Sequence, residues 1–335
     1  MSDARFFAVD RQAWQSVCRL GINEAVSYLI IASGTGRDHR TSAWSATSVE
    51  KYSGMHHVRA KEAISQLLGA GFLTVEARGK LRRYKLLLGD EPQLIWLPTS
   101  IIEGINGERP PVKLLRKAQN VDALRLFVDL YFFHDLAGNG GCEWRPYIGI
   151  RMPFVREAVA ECGAHNLWRF SPKLRPDGKP TIEVFRDAAF VVPEFFTAFE
   201  VIQRAGLVDF VEHLVDSDSR TGEVIHPLPM KNRGEPGEQC ITRAAVAAGI
   251  RMAPSWTSHQ QDTIIVPVEA IASNVQLIGI ARLLYKPHVK QTRAWFEQSA
   301  EWMQVAAGFD NLASGIEDGR DSGIKKLSRI DQGLF

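Results

Sequence analysis

Apolar residues recur at helical spacing through the first third of the chain. Ala13, Trp14, Val17 and Leu20 predict a short helix over Asp10 to Leu20, closed by Gly21, with Asn23 placed to cap the next one. Glu24 to Ser33 is apolar on nearly every side, so that helix has to be buried against several neighbours. A loop follows, Gly34 to Arg40. Ser45 then caps a helix running to about Tyr52, Ser53-Gly54-Met55 turns the chain, and His56 opens a helix that ends near Gly71. Two strands, Phe72 to Ala77 and Leu81 to Leu88, flank Arg78-Gly79-Lys80 as a hairpin.

Further along, the pattern is looser. Prolines mark Glu91 to Pro111 as a connector, and Lys113 to Leu136 reads as one long amphipathic helix. From Gly138 to about Phe190 no period dominates, apart from a turn at Pro176-Asp177-Gly178. Pro193 to Ala205 predicts a helix, Leu207 to Val215 and Glu223 to Leu228 strands, Ile241 to Ala248 a helix and Thr263 to Val268 a strand. Val275 to Tyr285 and Val289 to Ala307 read as helices, and Phe309 to Phe335, rich in Gly, Asp, Ser and Lys, reads as a mobile tail.

The stretch from Trp44 to Leu88 carries the functional signal. A helix-turn-helix needs a tight turn and a few buried anchors, because its second helix must enter the major groove on a rigid support. Gly54 supplies the turn, Val49 and Tyr52 anchor the first helix, and Met55, Ala60, Ala63, Ile64 and Leu67 bury one face of the second. The run from Ser48 to Met55, followed by Ala63 to Leu73 with its Ala70-Gly71 stop, resembles the winged-helix family of bacterial DNA-binding proteins. The resemblance covers about 45 residues of 335. It implies that the second helix reads bases and that the hairpin wing touches the backbone.

On that resemblance His56, His57, Arg59 and Lys61 are the candidate readers, with His56 alternatively a helix cap. Arg59 suits a bidentate contact to guanine and Lys61 a phosphate. The wing offers Arg78, Lys80, Arg82, Arg83 and Lys85, and the preceding loop Arg37 and Arg40. Charge distribution agrees: Gly34 to Leu88 holds ten basic and four acidic residues, net +6, whereas the whole chain is only +2. A second, divergent winged helix is an alternative for the middle, where the helix ending at Ala205-Gly206-Leu207 precedes two strands. Its turn residues, Asp216-Ser217-Asp218, are acidic, which suits a protein partner better than phosphate. Two such modules would be similar to plasmid and phage replication initiators, an analogy of fold alone.

Composition sets the outer bounds. Hydrophobic residues at 45% and charged residues at 23% suit a folded chain of two or three domains. The four cysteines form no CxxC pair, and the nine histidines no metal-ligand spacing, so neither a metal nor a cofactor is expected. Phosphate-loop, dinucleotide, GxSxG and HExxH motifs are lacking, so no enzyme is expected. With no apolar stretch near ~20 residues and no signal-like start, the expectation is a cytoplasmic protein without membrane contact.

The resulting expectation is a mainly α chain with small β-hairpin wings (α+β). It comprises a winged helix-turn-helix at 1–90, a linker at 91–111, a second domain at 112–230, a mostly helical region at 231–308 and the tail from 309. The expected function is double-stranded DNA binding, as a sequence-specific regulator of transcription or a replication initiator, with a homodimer as an open alternative. The competing class is a winged-helix scaffold protein in a defence or phage-derived assembly.

Overall fold

Asp10 both ends the first strand, β1 (Phe6–Asp10), and starts the first helix, α1 (Arg11–Cys18). Its carboxylate accepts from the Ala13 amide at 2.8 Å, satisfying a donor that the helix itself leaves open. In this computed structural model the described residues are 6–78, 81–88, 93–105, 107–135, 140–142, 150–184, 195–217, 222–231, 233–253, 262–269, 271–272, 274–285, 299–317 and 325–326. They fall into two compact units, each discontinuous in sequence. Unit 1 takes residues 1–134, 188–208 and 283–292; unit 2 takes 135–187, 209–282 and 293–335.

Unit 1 is organised around α2 (Ile22–Ser33), buried at every residue from Glu24 to Ala32, as its all-round apolar sequence requires. Around it follow β2 (Thr41–Ser42), α3 (Ala46–Ser53), α4 (His57–Gly69), β3 (Leu73–Arg78) and β4 (Leu81–Leu86), the three strands forming a sheet in the order β2-β4-β3. The expected connector over 91–111 is instead part of this unit: β5 (Leu94–Pro98) pairs antiparallel with β1, and α5 (Ser100–Glu103) buries Ile101 and Ile102. Prolines there mark a turn and a helix start, not a free linker. The long helix expected over 113–136 is two, α6 (Pro111–Ala118) and α7 (Val121–Phe132). Gln119 takes the left-handed conformation at φ 55°, and Asn120 caps α7 by accepting from the Ala123 amide at 2.8 Å.

The expectation of a mainly α chain with small wings is wrong. Of the described residues 44% are helical and 30% lie in strands, and unit 2 is dominated by a ten-stranded sheet. Its short β6 (His134–Asp135) and β7 (Gly141–Cys142) precede two long strands, β8 (Ile150–Cys162) and β9 (His165–Pro172), in the stretch where no period was visible. The reason is local. A bulge between Ala158 and Ala160 shifts the register of β8 against β9, so inward positions fall at Ile150, Met152 and Phe154 and then at Val159, Ala160 and Cys162. Glu157 and Glu161 lie on this strand.

Then come β10 (Glu183–Val184), α8 (Phe195–Arg204), β11 (Val208–Val215), β12 (Val224–Pro227), α9 (Pro236–Met252), β13 (Ile264–Glu269), β14 (Gln276–Leu283), α10 (Ser299–Glu317) and β15 (Lys325–Lys326). The main sheet order is β12-β11-β14-β8-β9-β13. The second winged helix therefore does not exist as expected, because α8 packs on α7 within unit 1 while β11 and β12 join the sheet of unit 2. β14 was expected as a helix; a short apolar run buried on both sides of a sheet has no period to separate it from one. The expected tail begins too early, since α10 continues to Glu317 and lays Leu312 and Ile316 on the core of Val159, Cys162, Leu167 and Met252. In the C-terminal region the helices α9 and α10 alternate with β13 and β14, which belong to the sheet of unit 2. Gly249 lets α9 lie close to β13: a Cβ there would stand 2.4 Å from the Ile265 carbonyl oxygen.

Each unit buries charge. In unit 2 the Arg282 guanidinium donates to Glu238 Oε2 at 2.7 Å and lies 3.3 Å from His213 Nε2, while His213 Nδ1 faces the Val211 carbonyl at 3.2 Å. Burial first, then Arg282, pushes the His213 pKa down to about 3, so this imidazole is neutral and accepts from the arginine. Glu212, also buried, accepts from the Met230 amide at 2.9 Å, and its pKa is raised to about 7 by burial. In unit 1 burial raises Asp129 to about 7 against the opposing pull of Arg11 and Arg125. Among the described residues no helix is long and apolar enough to cross a membrane.

Candidate nucleic-acid interface

The candidate surface starts at Ser45, where Ser48 Oγ accepts from the Ser45 amide at 3.4 Å and closes the capping box of α3. At the other end Gly54 sits at φ 68°, a left-handed turn that an L side chain would strain. Ser53 Oγ accepts from the Met55 amide at 3.0 Å, and Met55 is buried directly after it. The turn is thus held by a side chain, a glycine and an apolar anchor in succession, which sets the angle at which α4 leaves.

His56 is the N-cap of α4: its Nδ1 accepts from the Val58 amide at 3.4 Å. The cap alternative is the one the geometry uses for this residue. His57 Nδ1 lies 3.3 Å from Glu50 Oε2, so the ring is drawn to α3 and keeps only its other edge for a ligand. Ala60, Ala63, Ile64 and Leu67 are buried, as their spacing predicts. Val58, Arg59, Lys61, Glu62, Ser65 and Gln66 are exposed on the remaining faces. No ion pair among the described residues engages Arg59 or Lys61.

The hairpin follows in register Leu73↔Leu86, Val75↔Tyr84, Glu76↔Arg83 and Arg78↔Leu81. Period-two alternation puts Leu73, Val75, Tyr84 and Leu86 on one face and Glu76 and Arg83 on the other. Arg83 is half-buried and stands directly across from Glu76, which lowers the net positive charge of that face. Arg78 and Arg82 belong to the strands by their backbone, while their side chains, and Lys80 altogether, lie outside the described residues. β2 pairs with β4 through Thr41↔Lys85 and Ser42↔Tyr84, so the preceding loop is carried beside the hairpin with Arg37 and Arg40 exposed. Asp38 holds that loop by accepting from the Arg40 and Thr41 amides at 3.2 Å each.

Two features of this surface were not visible in sequence. The first is α6, which packs against α3 and brings Lys113 and Arg116 to the turn. Arg116 donates to Asn23 Oδ1 at 3.3 Å and to the Ser53 carbonyl oxygen at 3.4 Å, and Lys113 Cε would be 3.2 Å from a Cβ on Gly54. Burial, and then the neighbouring charge of Arg59, lower the Arg116 pKa, so two guanidinium groups repel each other at this point. An anion between them would relieve that repulsion. The second is an aromatic cluster beside the Arg37–Arg40 loop, in which Phe6 stacks on His39 at 5.9 Å and Trp96 meets both rings edge-on, at 5.2 and 5.0 Å. A search for basic residues in a local window finds neither, because α6 and β5 return to the site from later in the chain.

Among the described residues no group of three or more His, Cys, Asp or Glu is placed to hold a metal ion. Comparison of the chain with protein-family models, with curated proteins and with solved structures returned no match.

Proposed function

We propose that α2 to β4 form a winged helix that binds double-stranded DNA, with the exposed face of α4 in the major groove and the β3–β4 hairpin along the backbone. On this reading the protein is a sequence-specific regulator of transcription or a replication initiator, of bacterial or mobile-element origin, working in the cytoplasm. The observation that carries it is the exposed Arg59, on a helix whose opposite face is wholly buried, set against a second arginine from α6. A cationic cluster on a rigid helix start is what phosphate and base-edge recognition require. A homodimer would set two such faces on half-sites about one helical turn apart.

The test is selection of bound duplexes from a random pool with the full chain, followed by titration of the enriched duplex at several salt concentrations. Enrichment of a defined sequence is expected, with log K falling against log salt by ~0.9 per phosphate neutralised. Neither enrichment nor salt-sensitive binding would overturn the reading. The scaffold alternative has one observation in its favour: Val58 on α4 and Val75 on β3 are 54% and 47% exposed, apolar positions that a protein partner would cover. It is supported if Val58→Asp abolishes a protein complex while DNA binding is absent throughout.

A further inference from the structure

Unit 2 contains a cavity of about 690 Å³, within the range of roughly 300 to 1,000 Å³ typical of small-molecule sites. It lies along one side of α10, with the ends of β12 and β13 as its other walls. Its surface is mostly apolar: Val305, Phe309 and Leu312 come from the helix and Pro267 and Val268 from β13. Ile271, beside these, is 90% exposed.

The polar side chains lining it are Asp216, Glu269, His165 and His226, with His165 directly across from Glu269 in the β9–β13 register. Asp216 and Glu269 line the cavity, both exposed, and neither takes part in an ion pair among the described residues. No lysine or arginine is among the described lining residues. His226, 7% exposed, packs its ring edge-on to Phe309 at 5.5 Å, and its Nδ1 meets no hydrogen-bond partner of good geometry. Burial pushes its pKa down to about 4, so it lines the cavity as a neutral imidazole.

We propose that this cavity is a binding site for a small apolar organic cation, an amine whose hydrocarbon body lies on Phe309 and Val305 and whose ammonium faces Asp216 and Glu269. The apolar walls supply affinity; the two carboxylates, with no lysine or arginine among the described lining residues, supply the sign. A carboxylate ligand of the same body would meet like charge and lose its hydration without compensation. The site stands apart from the DNA reading and would hold whether or not that reading does.

The test uses the full chain and three fluorescent probes with one aromatic body: 1-pyrenemethylamine, uncharged 1-pyrenemethanol and 1-pyrenecarboxylate. Saturable binding of the amine is expected, roughly tenfold tighter than the carboxylate, with the alcohol between them, as one charge-assisted contact implies. Glu269→Gln should shrink the preference for amine over alcohol several-fold and leave the alcohol unchanged. Gly308 also lines the cavity, and a Cβ there would meet nothing within 4 Å, so Gly308→Trp fills the space without displacing backbone. It should abolish binding of all three probes while the thermal transition is retained. No saturable amine binding overturns the proposal. So does a carboxylate that binds as tightly as the amine, or a folded Gly308→Trp variant that still binds. Glu269→Gln, a surface change, keeps the question decidable if the tryptophan variant fails to fold.

Discussion

Arg59 in unit 1 and Arg282 in unit 2 carry the same guanidinium into opposite surroundings. Arg59 stands exposed on α4, with another arginine as its charged neighbour. Arg282 is enclosed, held by Glu238 at 2.7 Å and by a neutral His213 at 3.3 Å. The first is stable only because water solvates it, and a polyanion can replace that water. The second has been removed from water and depends on its partners, so it serves the fold and offers nothing to a ligand. What separates a solvated arginine from a structural one here is neutralisation in three dimensions, a property that composition does not carry.

Truncating each arginine should have very unequal effects on stability. Arg282→Ala leaves Glu238 buried without its cation and should cost about 3 to 5 kcal/mol. Hydrogen exchange read on peptides of each unit should show unit 2 opening while unit 1 keeps its protection; a loss under about 1 kcal/mol would show that the pair does not hold unit 2 together.

A pH series sharpens the contrast further, because the buried groups of the two units respond with opposite sign. Asp129 titrates at about 7 when folded and about 3.9 when unfolded, so the folded state holds the extra proton and unit 1 loses stability as pH rises from about 4 to 7. His213 and His226 lie at about 3 and about 4 when folded against about 6.5 unfolded. There the unfolded state binds more protons, and unit 2 loses stability as pH falls from about 6.5 towards 4. Glu212, raised to about 7, opposes this with one proton against two. Between pH 7.5 and 5 protection should therefore rise in unit 1 and fall in unit 2, and parallel changes would show that these groups do not govern the response.

Gly249→Ala drives a methyl towards the Ile265 carbonyl oxygen and should cost about 1 to 3 kcal/mol, seen as a lower urea midpoint for unit 2. The smallest stability effect belongs to Arg59→Ala, within about 0.5 kcal/mol, since the side chain is solvated and its loss relieves Arg116. Its binding effect should be larger, ~1 to 3 kcal/mol of discrimination between the enriched and a scrambled duplex, whereas Lys113→Ala should weaken both duplexes alike. Equal losses for Arg59→Ala would remove it as a base reader.

The candidate surface was readable in sequence where its signals are local. Ser45, Gly54 and the Ala70-Gly71 stop each act within a few residues of themselves, and the buried positions of α4 follow from 3.6-residue spacing alone. Its completion was not readable, because Lys113 and Arg116 reach the turn only after the chain has passed through β5 and α5. Arg83 shows the reverse error: counted as one of five basic residues in the wing, it lies opposite Glu76 once the register is known.

Local sequence alone set the helices α1 to α4, the β3–β4 hairpin, the burial of α2 and the excess of positive charge between Gly34 and Leu88. Those properties depend on periodicity, caps and turns that neighbouring residues enforce on one another. Only the tertiary structure decided that the middle of the chain is a sheet, that α8 belongs with α7 and not with β11, and which charges are neutralised. The bulge in β8 breaks the period that would announce the strand, and β14, buried on both sides, has no polar face to alternate with. Pairing between strands far apart in sequence settled both, through contacts that no local window contains.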